Sequence, residues 1–197
     1  MTELFFSLVS TYGTFVIAVT TFLSCLALPI PSSFVMLAGG AFAASGDLAL
    51  GAVVAAAFGG AVIGDQAGFR AGRYGGPILE ERIARNPARA ALLGRARAFV
   101  ERWGVAGVFF STWLVAPLGP WVNVAAGAAG MGALKFTVWD AIGEAIWVAI
   151  YVGLGYAFAA NIDALSAVLG NAVAAITALA VAAGLGALLV RAARKRP

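Results

Sequence analysis

Histidine is absent from this chain, and there is a single cysteine, Cys25. These absences exclude an intrachain disulfide, a Cys/His zinc site and general-base catalysis by histidine. The sequence also shows no nucleophile–base pair, no set of metal ligands and no phosphate-binding loop. We therefore expect neither an enzyme nor a bound cofactor or metal.

Charge is scarce as well. Only 11% of the 197 residues are charged and 62% are hydrophobic, whereas soluble domains average about 25% charged residues. The mean hydropathy is +0.94. These values predict an all-α polytopic membrane protein with one membrane domain over residues 1–197. Met1–Leu4 has no basic segment, so we expect no cleaved signal peptide and a first helix that stays as an anchor.

The first long apolar run, from Leu4 to Gly46, contains no charged residue. A bilayer core accommodates only about 20 helical residues per crossing, and Pro29 and Pro31 interrupt the run. Proline lacks a backbone donor and disfavours a continuous helix. Broken backbone at membrane depth is tolerated where protein or a cavity covers it. The pattern therefore predicts a re-entrant hairpin from Pro29 to about Ala44.

A second charge-free run, from Val105 to Leu134, has Pro117 and Pro120 near its middle. Interrupted apolar segments at matching places in two halves are typical of inverted repeats in transporters. We therefore predict two re-entrant hairpins related by an inverted repeat. The alternative is a pair of ordinary proline-kinked helices.

About four full transmembrane helices accompany the hairpins in this interpretation. They are expected over 4–28, 48–69, 135–160 and 164–190. The tail after Val190 is basic, as is the segment 70–103. Positive residues favour the cytoplasmic side, so both termini are expected in the cytoplasm.

The segment 70–103 is the only sizeable polar stretch, and we interpret it as a basic cytoplasmic loop. Pro77 is expected to start a helix, and Asn86-Pro87 to end it and begin another. In that second helix Leu92, Phe99 and Trp103 share a face, which predicts an amphipathic helix in the membrane interface near anionic head groups. A basic loop that only sets topology is the alternative. The arginines are Arg70, Arg73, Arg82, Arg85, Arg89, Arg95, Arg97 and Arg102.

Glycine recurs every fourth residue in the second predicted span. This spacing places the glycines on one helix face, where small residues allow another helix to approach closely. We interpret the set as a packing surface. Its members are Gly60, Gly64, Gly68 and Gly72.

Three acids lie within predicted membrane helices, where each carboxylate costs a few kcal/mol and is by default a candidate functional residue. Asp65 has no arginine at i+3 or i+4 and is expected to find its partner on another helix. Asp140 and Glu144 share a helix face. Asn123 either lines the same site or caps a half-helix. Pairing of Asp65 and Asp140 with interfacial Arg70, Arg73 or Lys135 is the alternative.

Several short motifs, in order and spacing, resemble the DedA family, the bacterial branch of the VTT-domain (SNARE-associated Golgi protein) superfamily. They cover about residues 15–160. They are Pro29-Ile30-Pro31-Ser32 with Ala38-Gly39, Gly64-Asp65 with Gly72-Arg73, Phe99 with Gly104, Ala126-Gly127, Ile146-Trp147, and Gly153-Leu154-Gly155-Tyr156.

The resemblance implies facing re-entrant hairpins in the bacterial inner membrane and movement of phospholipid or polyprenyl-phosphate carriers between leaflets, in support of envelope homeostasis. It assigns roles to Asp65 and Arg73. The family's acids near the first hairpin and arginines in the second are missing, however. No acid occurs between Glu3 and Asp47, where Ser24 and Ser33 stand instead, and no arginine between Arg102 and Arg191. The usual proton-coupled, phosphate-binding mechanism therefore lacks its hairpin charges.

The sequence thus favours a DedA-like lipid transporter or scramblase. Its substrate or proton pathway is predicted to include Asp65, Asp140, Glu144, Arg73 and Asn123. The alternatives are a non-transporting accessory subunit of a membrane complex and a proton-coupled exporter of small solutes. Membrane lipids are the expected partners, with a homo-oligomer or a larger membrane complex left open, and no nucleic acid.

Overall fold

A computed structural model describes residues 2–28, 30–114 and 118–159. The predicted C-terminal transmembrane helix over 164–190 and the basic tail lie outside these residues, as do Pro29 and Pro117. The described residues form six helices and their connections, with no strand among them. The helices are α1 Thr2–Ser24, α2 Ser32–Ala44, α3 Leu50–Ala84, α4 Pro87–Trp113, α5 Gly119–Ala128 and α6 Ala133–Ala157.

The break between α1 and α2 comes earlier than the proline pair alone suggests. The chain leaves α1 at Ser24, four residues short of the predicted end at Leu28, because a turn follows and Ala27 takes a positive φ of 61°. This left-handed conformation is unusual for a residue with a Cβ. Pro31 then stands at the N-cap of α2. A second break, after Trp113, separates α4 from α5.

Both short helices end in the same way. The N–H of Asp47 donates to the carbonyl of Phe42 after α2, and the N–H of Met131 donates to the carbonyl of Ala126 after α5. Gly46 and Gly130 supply the positive φ that this Schellman ending requires. The two halves of the chain therefore share a pattern of long helix, break, short helix, glycine turn and long helix.

Two further glycines divide the longer helices. Gly76 (φ 46°) interrupts α3 immediately before Pro77, and Gly104 (φ 53°) interrupts α4. The predicted loop 70–103 is therefore mostly helical. Asn86 begins α4 as expected, since its side chain accepts hydrogen bonds from the N–H groups of Ala88 and Arg89.

One face of α4 is buried against the rest of the protein. Leu93, Ala96 and Val100 are buried against a core that includes Phe69 of α3, whereas Trp103 is 49% exposed. These contacts do not test whether the face formed by Leu92, Phe99 and Trp103 lies in the membrane interface, and that placement stays a prediction.

Close crossings between helices hold the two halves together. The short helix α2 packs against α6, and α5 packs against α3. A Cβ on Gly40 would meet the backbone of α6 at Val152, and one on Gly155 would meet the backbone of α2 at Leu37. Gly127 of α5 and Gly72 of α3 make the equivalent pair. Small residues are required where helices approach this closely.

The glycines predicted as a packing surface meet two different helices. A Cβ on Gly60 or Gly64 would meet the backbone of α1, at Ala18 and Phe22. One on Gly72 would meet the backbone of α5, and one on Gly68, which lies between, would stand 3.4 Å from the Cβ of Asn123. This glycine face places α1 and α5 along the same helix, and thereby brings the two breaks together.

Two of the described helices are long and apolar enough to cross a bilayer, Leu50–Gly76 within α3 and Ala133–Ala157, which is α6. Tyr12–Ser24 and Ser32–Ala44 are shorter apolar helices. Large apolar side chains are exposed on the outside of the bundle, among them Phe15 (65%), Ile63 (62%) and Leu134 (78%). Such an exterior suits a lipid environment.

Candidate functional site

The two chain breaks meet at a cavity of about 420 Å³. One side is formed by the segment between α1 and α2, and the opposite side by the end of α4 and the start of α5. The lining residues are Ser24, Cys25, Ala27, Leu28, Ile30, Pro31, Ser32, Ser33, Asp65, Ser111, Thr112, Gly119, Pro120, Trp121, Asn123, Glu144 and Trp147. Pro31, at the N-cap of α2, and Pro120, in the first turn of α5, stand at the cavity wall.

Asp65 and Asn123 connect the two halves of the protein inside this cavity. Asp65 on α3 is only 3% exposed, and Asn123 on α5 only 2%. The side-chain amide of Asn123 donates a hydrogen bond to Oδ1 of Asp65. The close crossing of α3 and α5 positions this pair. Asn123 lies inside α5, whose N-cap residue is Leu118, so it lines the site and does not cap the half-helix.

The other two predicted acids come from one face of α6. Glu144 lines the cavity and is 3% exposed, and its Oε2 atom has no hydrogen-bond partner in the described part of the chain. Asp140 is fully buried, and neither of its carboxylate oxygens has a hydrogen-bond partner among the described residues. It interacts electrostatically with Asp65. It does not line the cavity. Three acids therefore share one buried region.

Cys25 joins this cluster, which the sequence does not reveal. One ligand atom each from Cys25, Asp65 and Glu144 lies within 4.8 Å of the other two, and all three residues are buried. They are far apart in the sequence and come from the turn after α1, from α3 and from α6. The only local signal was a cysteine beside a proline-containing break, and that gives no indication of its neighbours.

Positive charge is missing from the described lining of the cavity. Arg73, included in the predicted pathway, is exposed, donates a hydrogen bond of 2.8 Å to the carbonyl of Met131, and lies 6.0 Å from the centre of the Phe69 ring. A salt bridge of 3.3 Å joins Arg85 to Glu81 on the exposed surface, and none joins Asp65 or Asp140 to a lysine or arginine among the described residues. Asp65 and Asp140 are therefore not paired with Arg70, Arg73 or Lys135.

Hydroxyl and aromatic side chains complete the wall. Ser111 and Thr112, at the end of α4, donate hydrogen bonds to the carbonyls of Val108 and Phe109 in the preceding turn. Trp147 packs edge-on against Tyr151, with 6.0 Å between ring centres. The sequence patterns did not single out Ser111, Thr112 or Trp147 as residues of the site. The cavity is thus amphipathic, with acidic, hydroxyl and indole groups.

The helices, their apolar exterior and the buried acidic cavity define a helical membrane protein with broken helices at an internal site. The VTT-domain family model matches residues 30–157, and the chain belongs to this family. That span includes α2 to α6 and every cavity-lining residue except Ser24, Cys25, Ala27 and Leu28. The predicted DedA/VTT resemblance is therefore confirmed.

A membrane protein of Synechocystis sp. described as uncharacterized is 38% identical to this chain over 130 residues. The matched region covers 66% of this chain and 59% of that protein, so the chain spans somewhat more than half the length of this relative. No solved structure shows a significant match.

Proposed function

We propose that this protein moves lipid between the leaflets of the bacterial inner membrane, using the cavity where the two breaks meet. The observation that carries the proposal is the position of Asp65, Asn123 and Glu144, which are buried in an apolar bundle yet line an open cavity. Buried ionisable groups within membrane segments mark pathways for ions, protons or substrates.

The repeated helix pattern supports this use of the cavity. In this proposal α2 and α5 are the inner arms of two re-entrant hairpins, related by an inverted repeat. Transporters with inverted repeats place their sites near the midplane, where discontinuous helices from the two halves meet. The equivalent crossings of α2 with α6 and of α5 with α3 fit that arrangement.

The membrane orientation follows from the positive charges. The basic segment 70–103 is proposed to lie in the cytoplasm together with both termini, because lysine and arginine accumulate on that side. Its arginines attract anionic lipid towards the entrance, while the acidic cavity accommodates the moving head group. About four full transmembrane helices complete this topology.

Single-cysteine labelling tests the orientation. Cysteines are placed one at a time at Arg89, Asp163 and Arg194 in a Cys25→Ser background. A membrane-impermeant thiol reagent added to intact cells is expected to label only position 163. Labelling at position 89 would contradict the inverted-hairpin topology.

Reconstitution into liposomes tests the transport itself. With a fluorescent phospholipid in both leaflets, the wild-type protein is expected to expose the inner-leaflet label to an external quencher. Glu144→Gln and Asp65→Asn preserve side-chain size and remove charge. We expect each to slow leaflet exchange about tenfold or more, which corresponds to about 1.4 kcal/mol in the barrier.

Asp47→Asn provides the matched control. Asp47 lies in the turn after α2, where it accepts a hydrogen bond from Ser45 and does not line the cavity. The Asp47→Asn variant should exchange lipid between leaflets at the wild-type rate. If Glu144→Gln and Asp65→Asn exchanged lipid at the wild-type rate, the cavity acids would have no part in the transport mechanism.

The second candidate is a non-transporting accessory subunit. The observation in its favour is the lack of any arginine or lysine in the described cavity lining, where a phosphate group would need a cationic partner. Purified protein that exchanges neither anionic nor zwitterionic lipids, and that copurifies with a fixed membrane complex, would replace lipid movement with this function.

A further inference from the structure

Three potential metal-binding side chains converge in the cavity from separate parts of the fold. Cys25 follows α1, Asp65 lies on α3 and Glu144 on α6, and their ligand atoms all lie within 4.8 Å of one another. The exposed fractions are 8%, 3% and 3%. A sulfur and two carboxylate oxygens are therefore held together away from bulk solvent.

Two further oxygen atoms in the same place lack partners. Oε2 of Glu144 and Oδ1 of Asn123 are buried and accept no hydrogen bond from the described residues, and both side chains line the cavity. Both atoms are acceptors, and a buried acceptor without a partner costs about 1–3 kcal/mol. The unpartnered oxygens point to a positively charged or donating ligand.

We propose that Cys25, Asp65 and Glu144 bind a thiophilic divalent cation of the Zn²⁺ or Cd²⁺ class, with Oδ1 of Asn123 or a water molecule as the fourth ligand. Thiolate selects these ions over Mg²⁺ and Ca²⁺, which take oxygen ligands. Binding releases the thiol proton of Cys25 to solvent, and the Sγ–metal bond replaces the S–H bond. The positive charge of the ion then offsets the buried negative groups.

The three ligand atoms need to move only slightly closer together to bind one ion. Zn–S and Zn–O bonds of about 2.3 Å and 2.0–2.2 Å place two tetrahedral ligands about 3.5 Å apart. The three ligand atoms now lie within 4.8 Å of one another. To reach the separation that these bond lengths require, each pair must come closer by about 1 Å. The open cavity leaves space for this adjustment and for a water ligand. The hydrogen bond that the amide nitrogen of Asn123 donates to Asp65 orients this ligand.

Thiol protection tests the site directly, because Cys25 is the chain's single cysteine. The full chain is purified in detergent without a polyhistidine tag, and its reaction with a small maleimide is followed by mass spectrometry. Zn²⁺ is expected to slow labelling at least about tenfold, Mg²⁺ at the same concentration should have no effect, and a chelator should restore the original rate.

Variants distinguish this site from a nonspecific thiol–metal contact. Glu144→Gln should abolish protection by Zn²⁺, whereas Asp47→Asn should retain it. Cd²⁺ supplies a second measurement: one equivalent should produce the ultraviolet absorption of a cadmium–thiolate bond, and Cys25→Ser should abolish this absorption. If a variant fails to fold, the Zn²⁺ and Cd²⁺ measurements on the wild-type protein still test whether Cys25 binds the ion.

Two outcomes would overturn the inference. One is the same labelling rate with and without Zn²⁺, together with no cadmium–thiolate absorption. The other is full protection in Glu144→Gln, which would show that the thiol binds the ion without the cavity. Neither measurement involves lipid movement, so the metal site and the proposed function can fail independently.

Discussion

The crossing of α2 and α6 gives a sharp prediction about stability. A Cβ on Gly155 would lie 2.8 Å from the carbonyl carbon of Leu37, with the carbonyl oxygen closer still, whereas ordinary van der Waals contact lies at 3.4–4 Å. The obstacle is helix backbone, which cannot rotate away as a side chain can. Gly155→Ala therefore forces the two helices apart.

The expected cost follows from two opposing effects. Overpacking a tight contact costs about 1–3 kcal/mol, and we take the upper end because backbone is involved. Replacing glycine by alanine within a helix recovers about 1 kcal/mol. The net loss is about 2 kcal/mol. At about 2–4 °C per kcal/mol for a chain of this size, the melting temperature should fall by about 4–8 °C.

Gly153 is the matched control, two residues away on the same helix, where an added Cβ would meet nothing within 4 Å. Gly153→Ala should be neutral or raise the melting temperature by up to about 4 °C, since only the helix-propensity gain applies. The assay is thermal unfolding of both variants in one detergent, with size-exclusion chromatography to check for aggregation. Equal melting temperatures for the two variants would refute the close crossing of α2 and α6.

Three further substitutions probe the rest of the chain by thermal unfolding. Asn123→Leu removes the donor to Asp65 and should cost about 1–3 kcal/mol; no loss would show that Asp65 does not depend on this bond. Asn86→Ala removes the side-chain cap of α4 and should cost about 1 kcal/mol, with faster amide exchange in the first turn as the local readout. Glu81→Gln breaks the exposed 3.3 Å ion pair with Arg85 and should change stability by less than about 0.5 kcal/mol; a larger effect would reveal a contact beyond this pair.

Local features of the sequence predicted much of the architecture. Scarce charge indicated a membrane protein, the proline pairs located both breaks, and Asn86-Pro87 marked the start of α4. Each of these signals acts through a residue's own backbone or its immediate neighbours. The same reasoning missed Ala27, whose positive φ ends α1 early, because the sequence shows no glycine where the turn forms.

The contents of the site were determined by the way the helices cross. Sequence alone identified Asp65, Asn123 and Glu144 as candidates, because buried polar groups are costly wherever they occur in a membrane helix. It could not place Cys25 beside them or Arg73 outside the cavity, since those positions depend on contacts between residues far apart in the chain. Hydropathy and periodicity specify which face of a helix is apolar or small, but not which helix covers it. The glycine crossings of α3 with α1 and α5 settle that question for residues 25, 65 and 123, and the packing of α6 against α2, α3 and α4 adds residue 144 to the same cavity.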